Sequence, residues 1–176
     1  MKVFVGVDLS AEARAALAAS LSGVEIPGKP SPPQNWHITL RYIGAMDDVS
    51  LDRLLAGLDE AELGGPFTLR AAGLGAFPKP SKATVLWVGL GHGSDRLESL
   101  AESVQEVVDR IGHGREDRPF IGHVTLARIR PPVDVRRLMS SVDVPAVTIP
   151  VGEVTVFESI QVTGGTEYHP IDRFPL

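Results

Sequence analysis

One tetrapeptide form, His-x-Thr-Leu, occurs twice in this chain, as His37-Ile38-Thr39-Leu40 and as His123-Val124-Thr125-Leu126. The two copies lie 86 positions apart in 176 residues, close to half the chain. Composition alone would produce such a match about 0.02 times in a chain of this length, so a duplicated fold is the economical reading. In an extended strand, residues i and i+2 share a face. Each copy therefore sets an imidazole beside a hydroxyl on one side of a strand, while Ile38/Leu40 and Val124/Leu126 point into apolar packing. Two buried polar side chains per strand would cost stability without partners, which favours a site over chance.

The flanking sequence repeats the same order of elements. Val3, Val5 and Val7 alternate with Phe4, Gly6 and Asp8 as a strand, and Ser10 is placed to cap a helix that begins at Ala11. Pro27, Pro30, Pro32 and Pro33 keep the next stretch out of a helix and deliver the chain into a strand from Trp36 to Gly44. Leu51, Leu54, Leu55 and Leu58 then follow helical spacing, and 67–74 is extended. In the second half, 83–90 reads as a strand, Ser94 as the cap of a helix carrying Leu97, Leu100, Val104 and Val108, and 123–128 as the strand with the second motif. A short element with Val135 and Leu138 follows, and 147–157 and 158–162 read as closing strands. These patterns predict an α+β fold: one domain of two pseudo-symmetric, interlocked lobes, with repeat halves at roughly 1–80 and 81–176. Two antiparallel sheets would face a central cleft, with helices on their outer faces.

Composition removes several function classes. The chain has no Cys, which excludes a disulfide scaffold, a thiol nucleophile and a zinc-thiolate site. No apolar run approaches the roughly 20 residues of a membrane span, and the N-terminus lacks a signal-peptide pattern, so a cytoplasmic protein is expected. No exposed apolar repeat points to self-association, so a monomer is expected. A net charge of −5 argues against a general nucleic-acid coat protein. Yet between Arg110 and Arg137 seven arginines face only three acids, a local basic segment suited to phosphate.

Two imidazoles and two hydroxyls facing one another suit in-line displacement at phosphorus. The attacking and leaving oxygens occupy opposite apices there, so a base and an acid must approach from opposite sides, and histidine can serve as either near neutral pH. Hydroxyls such as those of Thr39 and Thr125 can donate to the non-bridging oxygens, where charge develops. This donor set is poor for zinc or magnesium, so no metal and no other cofactor is expected. His92, His113 and His169 have no repeated pattern and are assigned to turns or surface.

The paired His-x-Thr-x motifs resemble those of the two-histidine (2H) phosphoesterase superfamily, and within it the RNA 2′,3′-cyclic phosphodiesterase family, also called 2′-5′ RNA ligase. The likeness runs through Val3 to Leu9, the block from His37 to Gly44, Val85 to Gly89, the block from Arg118 to Arg128, Tyr168, and Arg173 to Leu176. One departure is Gly122, where the family usually has Pro. The resemblance implies metal-independent hydrolysis of 2′,3′-cyclic phosphates at RNA ends, tRNA fragments included, to 2′-phosphomonoesters, with ATP-independent 2′-5′ ligation as a second activity. By the same analogy His37 is the general acid and His123 the general base, although their spacing treats them alike. Arg128 would bind phosphate, and Arg41, Phe4, Phe120 and Tyr168 would contact bases or backbone. Strict alternation puts Arg128 on the opposite strand face from His123, so its role requires the strand to end or twist first. Two other readings stay open: a phosphodiesterase for small cyclic nucleotides, and an RNA-end-binding module without turnover.

Overall fold

The computed structural model describes residues 1–144 and 146–176. Nine strands, β1 (Lys2–Asp8), β2 (Lys29–Pro30), β3 (His37–Ala45), β4 (Phe67–Phe77), β5 (Ala83–Leu90), β6 (His123–Val133), β7 (Thr148–Val151), β8 (Glu153–Val162) and β9 (Gly165–Pro175), alternate with four helices. The helices are α1 (Ala11–Ser20), α2 (Asp48–Glu60), α3 (Ser94–Val108) and α4 (Arg136–Ser141). The strands run antiparallel in the order β7-β4-β5-β6-β3-β1-β8-β9, with β2 against β6. Two halves of this curled sheet meet at β6 and β3, where Ile38 opposite Val124 is the joining pair.

The lobes do not divide at residue 80. β4 lies before that boundary but pairs with β5, while β8 lies after it and pairs with β1. Each repeat runs strand, helix, strand, helix, and then sends its next long strand into the other repeat's sheet. The expected interlock is therefore an exchange of strands. The reason is local: β4 and β5 are joined by the short turn 78–82, so their hairpin forms across the repeat boundary. The closing strands also differ from the alternation pattern. Glu153 to Val162 is one strand, and β9, which carries Tyr168, folds back on it through Gly164 at φ 95°, a conformation that suits glycine.

Side-chain caps start two helices, at Ser10 as expected and at Asp47, ahead of the expected leucine pattern. The Ser10 hydroxyl accepts from the Ala13 N–H at 3.1 Å, and Asp47 accepts from the Ser50 N–H at 2.7 Å. For α3 the cap position is Gly93, one residue before the expected Ser94. Leu17 of α1, Leu54 and Leu58 of α2, and Leu97, Leu100 and Val104 of α3 are buried against Val3, Val5, Val7, Ile38, Val124 and Leu126. One core thus supports both motif strands from behind. Truncating a fully buried leucine such as Leu54 to Ala would cost about 2–5 kcal/mol. No helix among the described residues is long and apolar enough to cross a membrane.

Candidate active site

In the first motif, a single turn at Pro33–Asn35 leads into His37. The His37 Nδ1–H donates to the Asn35 carbonyl at 2.8 Å, and Nε2 lies 3.1 Å from the Thr39 hydroxyl. With Nδ1 holding a proton for the carbonyl, Nε2 is the nitrogen that can exchange one. The ring lies 4.8 Å from the centroids of both Phe4 and Tyr168 and 6.1 Å from that of Phe157. The Asn35 side-chain N–H donates to the Thr166 carbonyl at 2.8 Å, tying this turn to β9.

The second motif is built by the same device. The His123 Nδ1–H donates to the Ile121 carbonyl, also two residues back, at 2.7 Å. Phe77 meets the ring edge-on at 5.1 Å and Trp87 lies 5.6 Å away. Gly75 makes room for that indole: a Cβ there would stand 2.2 Å from the Trp87 ring.

Antiparallel pairing of Ile38 with Val124 brings the half-sites together. One step to either side sets His37 beside Thr125 and Thr39 beside His123, all on the face away from the core. Burial lowers the proton affinity of both imidazoles below the ordinary range. For His37 the Asn35 carbonyl and Asp8 act against that burial, and His123 and Arg128 add to it. For His123 the Ile121 carbonyl opposes burial and Arg128 adds to it.

Arg128 reaches both imidazoles electrostatically because β6 is bulged. Trp87 pairs with Thr125 and Leu86 with Ala127, which leaves Leu126 as an extra residue. Leu126 and Ala127 are consecutive buried residues, and Arg128 returns to the exposed face. This bulge is what breaks the strict alternation that would face Arg128 away from His123. Arg128 also lines a groove of about 570 Å³ between the 29–35 segment and the β8–β9 hairpin, with Lys29, Gln34, Tyr168 and His169 on its walls.

The remaining sequence candidates separate. Phe4 and Tyr168 touch the His37 ring and each other, with centroids 5.2 Å apart. Phe4 is buried, so it is a wall of the imidazole pocket rather than an open stacking platform. Arg41 lies elsewhere: its largely buried guanidinium donates to Glu116 at 2.8 Å and to the Gly114 carbonyl at 3.2 Å. A matching bulge at Leu40 turns it from the motif face to the face of α3. Phe120 is partly buried against the core, and Gly122 lets Leu97 approach, since a Cβ there would lie 2.6 Å from that side chain. His169 is paired with Glu167 at 2.8 Å. Residue-type reasoning did not single out Asp8, Asn35, Phe77, Trp87 or Phe157. Alternation places Asp8 on the face of Phe4 and Gly6, but only the strand register shows that it stands opposite His37. Among the described residues, no group of three or more His, Asp or Glu could hold a metal ion.

Known proteins resemble this chain in sequence and in fold. The family model of LigT-like phosphoesterases matches residues 7–87. An RNA 2′,3′-cyclic phosphodiesterase of Aeropyrum pernix is 32% identical over 161 residues, covering 88% of this chain and 89% of the relative. One of Archaeoglobus fulgidus is 35% identical, covering 74% of this chain and 73% of the relative. A crystal structure of Escherichia coli LigT complexed with 3′-AMP superposes with a TM-score of 0.82 at 25% identity, over 99% of this chain and 97% of the other. Identity above 30% over most of both chains with the Aeropyrum and Archaeoglobus relatives, together with the match to the family model, makes the chain a member of the LigT-like family of two-histidine phosphoesterases.

Proposed function

We propose that the protein hydrolyses the 2′,3′-cyclic phosphate at an RNA 3′ end to a 2′-phosphomonoester. The observation that carries this is the single antiparallel pair Ile38–Val124 at the β3–β6 seam, whose register sets His37 toward Thr125 and Thr39 toward His123, with both Nδ1 atoms engaged by carbonyls. The names of the Aeropyrum and Archaeoglobus relatives give the substrate class.

The step balances on the chain's own groups. His123 Nε2 accepts a proton from water as the water oxygen forms a bond to phosphorus. The P–O3′ bond breaks on the opposite side, and His37 Nε2–H gives its proton to the departing 3′ oxygen. The P–O2′ bond stays, so the product is the 2′-phosphate, and His37 leaves the step neutral while His123 leaves it protonated. Protonated His37 can direct Nε2–H at the leaving oxygen while the Thr39 hydroxyl, freed from Nε2, donates to a non-bridging oxygen. Thr125 and Arg128 stabilise the same oxygens.

An oligonucleotide end fits better than a mononucleotide. The groove beside Arg128 is larger than the site of the chemistry needs, and Lys29 and Gln34 on its walls suit the phosphate and sugar of the preceding nucleotide. Product analysis with a short oligoribonucleotide and with a nucleoside 2′,3′-cyclic phosphate, both in EDTA, tests this reading. The expected result is 2′-phosphate from both, with higher kcat/KM for the oligonucleotide. Formation of 3′-phosphate would overturn the assignment of the leaving oxygen, and equal kcat/KM would favour small cyclic nucleotides. Binding without turnover would make the protein an RNA-end binder.

A further inference from the structure

The two half-sites match in register closely enough to compare position by position. Gly6 stands opposite Thr39 as Trp87 stands opposite Thr125, and two pairs further along, on the same face, Asp8 stands opposite His37 where Gly89 stands opposite His123. The two imidazoles thus have the same carbonyl anchor but different cross-strand neighbours, a carboxylate in one lobe and none in the other. Lobe 2 has no room for one: a Cβ on Gly89 would meet the Ala72 carbonyl oxygen at 2.9 Å and the Trp87 ring at 3.2 Å.

Asp8 is held in place. Arg14 of α1 donates to its Oδ1 at 2.8 Å and reaches the Trp36 carbonyl at 3.4 Å. Asp8, Arg14, Asn35, His37 and Tyr168 line one small, partly open cavity of about 100 Å³, so the carboxylate, itself partly exposed, faces the imidazole across a short and only partly screened distance. The charged and titratable groups around His37 are Asp8 from β1, Arg14 from α1, His123 and Arg128 from β6, and Tyr168 from β9. Asp8 is the one acid among them. Phe4 and Phe157 complete the surround with neutral rings.

We propose that Asp8 is a positioning residue that breaks the symmetry of the two half-sites, holding the catalytic proton on His37 so that His37 begins the reaction as acid and His123 as base. The role of Arg14 is to aim the carboxylate and to moderate its charge. Asp8 touches neither substrate nor reacting atoms in this scheme. The acid and base labels rest on the phosphodiesterase reading, whereas the charge asymmetry belongs to the resting protein and can be measured without substrate.

The test is an NMR pH titration of the two imidazoles in the ligand-free protein, in wild type, Asp8→Asn, Arg14→Gln and Arg14→Lys. Asp8→Asn is expected to lower the His37 midpoint by about 0.5–1 pH unit, as loss of one nearby charge at partial screening implies. Arg14→Gln should raise it by a similar amount, Arg14→Lys should leave it near wild type, and His123 should hold still throughout. Opposite shifts from the two members of one ion pair would not follow from general loosening of the lobe. An unmoved His37, shifts of the same sign, or an equal response of His123 would overturn the proposal. Hydrolysis assays separate it from the functional reading: with turnover present, Asp8→Asn should move the alkaline limb of kcat/KM acidward by the same amount. Absent turnover in wild type with the titration asymmetry intact would instead remove the phosphodiesterase reading and leave the bias standing.

Discussion

Leu40 and Leu126 are equivalent bulge residues: each is the first extra residue in its strand, directly after the Thr of its motif. The bulges reset the alternation in both strands, so residues after them exchange faces. In β6 this brings Arg128 round to the side of His123 and Thr125. In β3 it carries Arg41 away from His37 and puts Tyr42, the register counterpart of Arg128, on the face of Phe4, half exposed.

The two arginines should therefore fail in different ways. Arg128→Ala is expected to weaken a 2′-phosphate-ended oligonucleotide by about 10- to 100-fold, the loss of a charge-assisted phosphate contact, with little change in Tm. Arg41→Ala should lower Tm, because it leaves the carbonyls of His113 and Gly114 without this donor and Glu116 with only the exposed Arg118, and should change affinity much less. Binding isotherms and thermal melts on the two variants check this, and equal affinity losses would contradict the bulge assignment.

Burial lowers the proton affinity of both imidazoles, which fixes the sign of the pH dependence. The base must be neutral and the acid charged, so kcat/KM falls at low pH as His123 takes a proton and at high pH as His37 loses one. Both limbs of the free enzyme lie below the ordinary value of 6.5 that applies to each histidine. The bell of kcat/KM should peak on the acidic side of that value, measured with a cyclic phosphate diester whose own charge is constant over the range. A plateau that persists above neutral pH would contradict the assignment.

Gly6 sits under the seam of the two lobes. A Cβ there would come within 2.6 Å of the Ile38 carbonyl oxygen, and that carbonyl belongs to the residue that pairs with Val124. Gly6→Ala should push β1 from β3 and destabilise the fold by about 1–3 kcal/mol, with a larger loss in kcat than a distant core change of equal cost. Chemical denaturation alongside kinetics, with Leu58→Ala as the distant comparison, provides the check.

Much of this site is legible in the sequence because a strand's two-residue period fixes which side chains share a face. His37 and Thr39, His123 and Thr125, and the apolar residues between them need no more than that. Period-two reasoning stops at the first inserted residue, which is why Arg128 reads as facing away, while Arg41 reads as a site residue only through the family resemblance. A trace of the bulge is visible in β6, where apolar Leu126 and Ala127 fall side by side and interrupt the alternation. Asp8 and Asn35 depend on register and on a contact 131 residues long, from Asn35 to Thr166, and neither leaves a local pattern. The exchange of β4 and β8 between lobes is likewise a matter of pairing partners, to which a repeat of 86 residues is indifferent.

That the two motifs form one catalytic unit is tested most directly by a double-mutant cycle on His37 and His123, with hydrolysis of a 2′,3′-cyclic-phosphate oligoribonucleotide in EDTA as the readout. Each of His37→Ala and His123→Ala is expected to lose about 10²-fold or more in kcat while remaining folded, and the double variant should lose scarcely more than either, because acid and base act on opposite ends of one displacement. Losses that multiply in the double variant, or near-wild-type turnover in either folded single variant, would contradict a concerted two-histidine site.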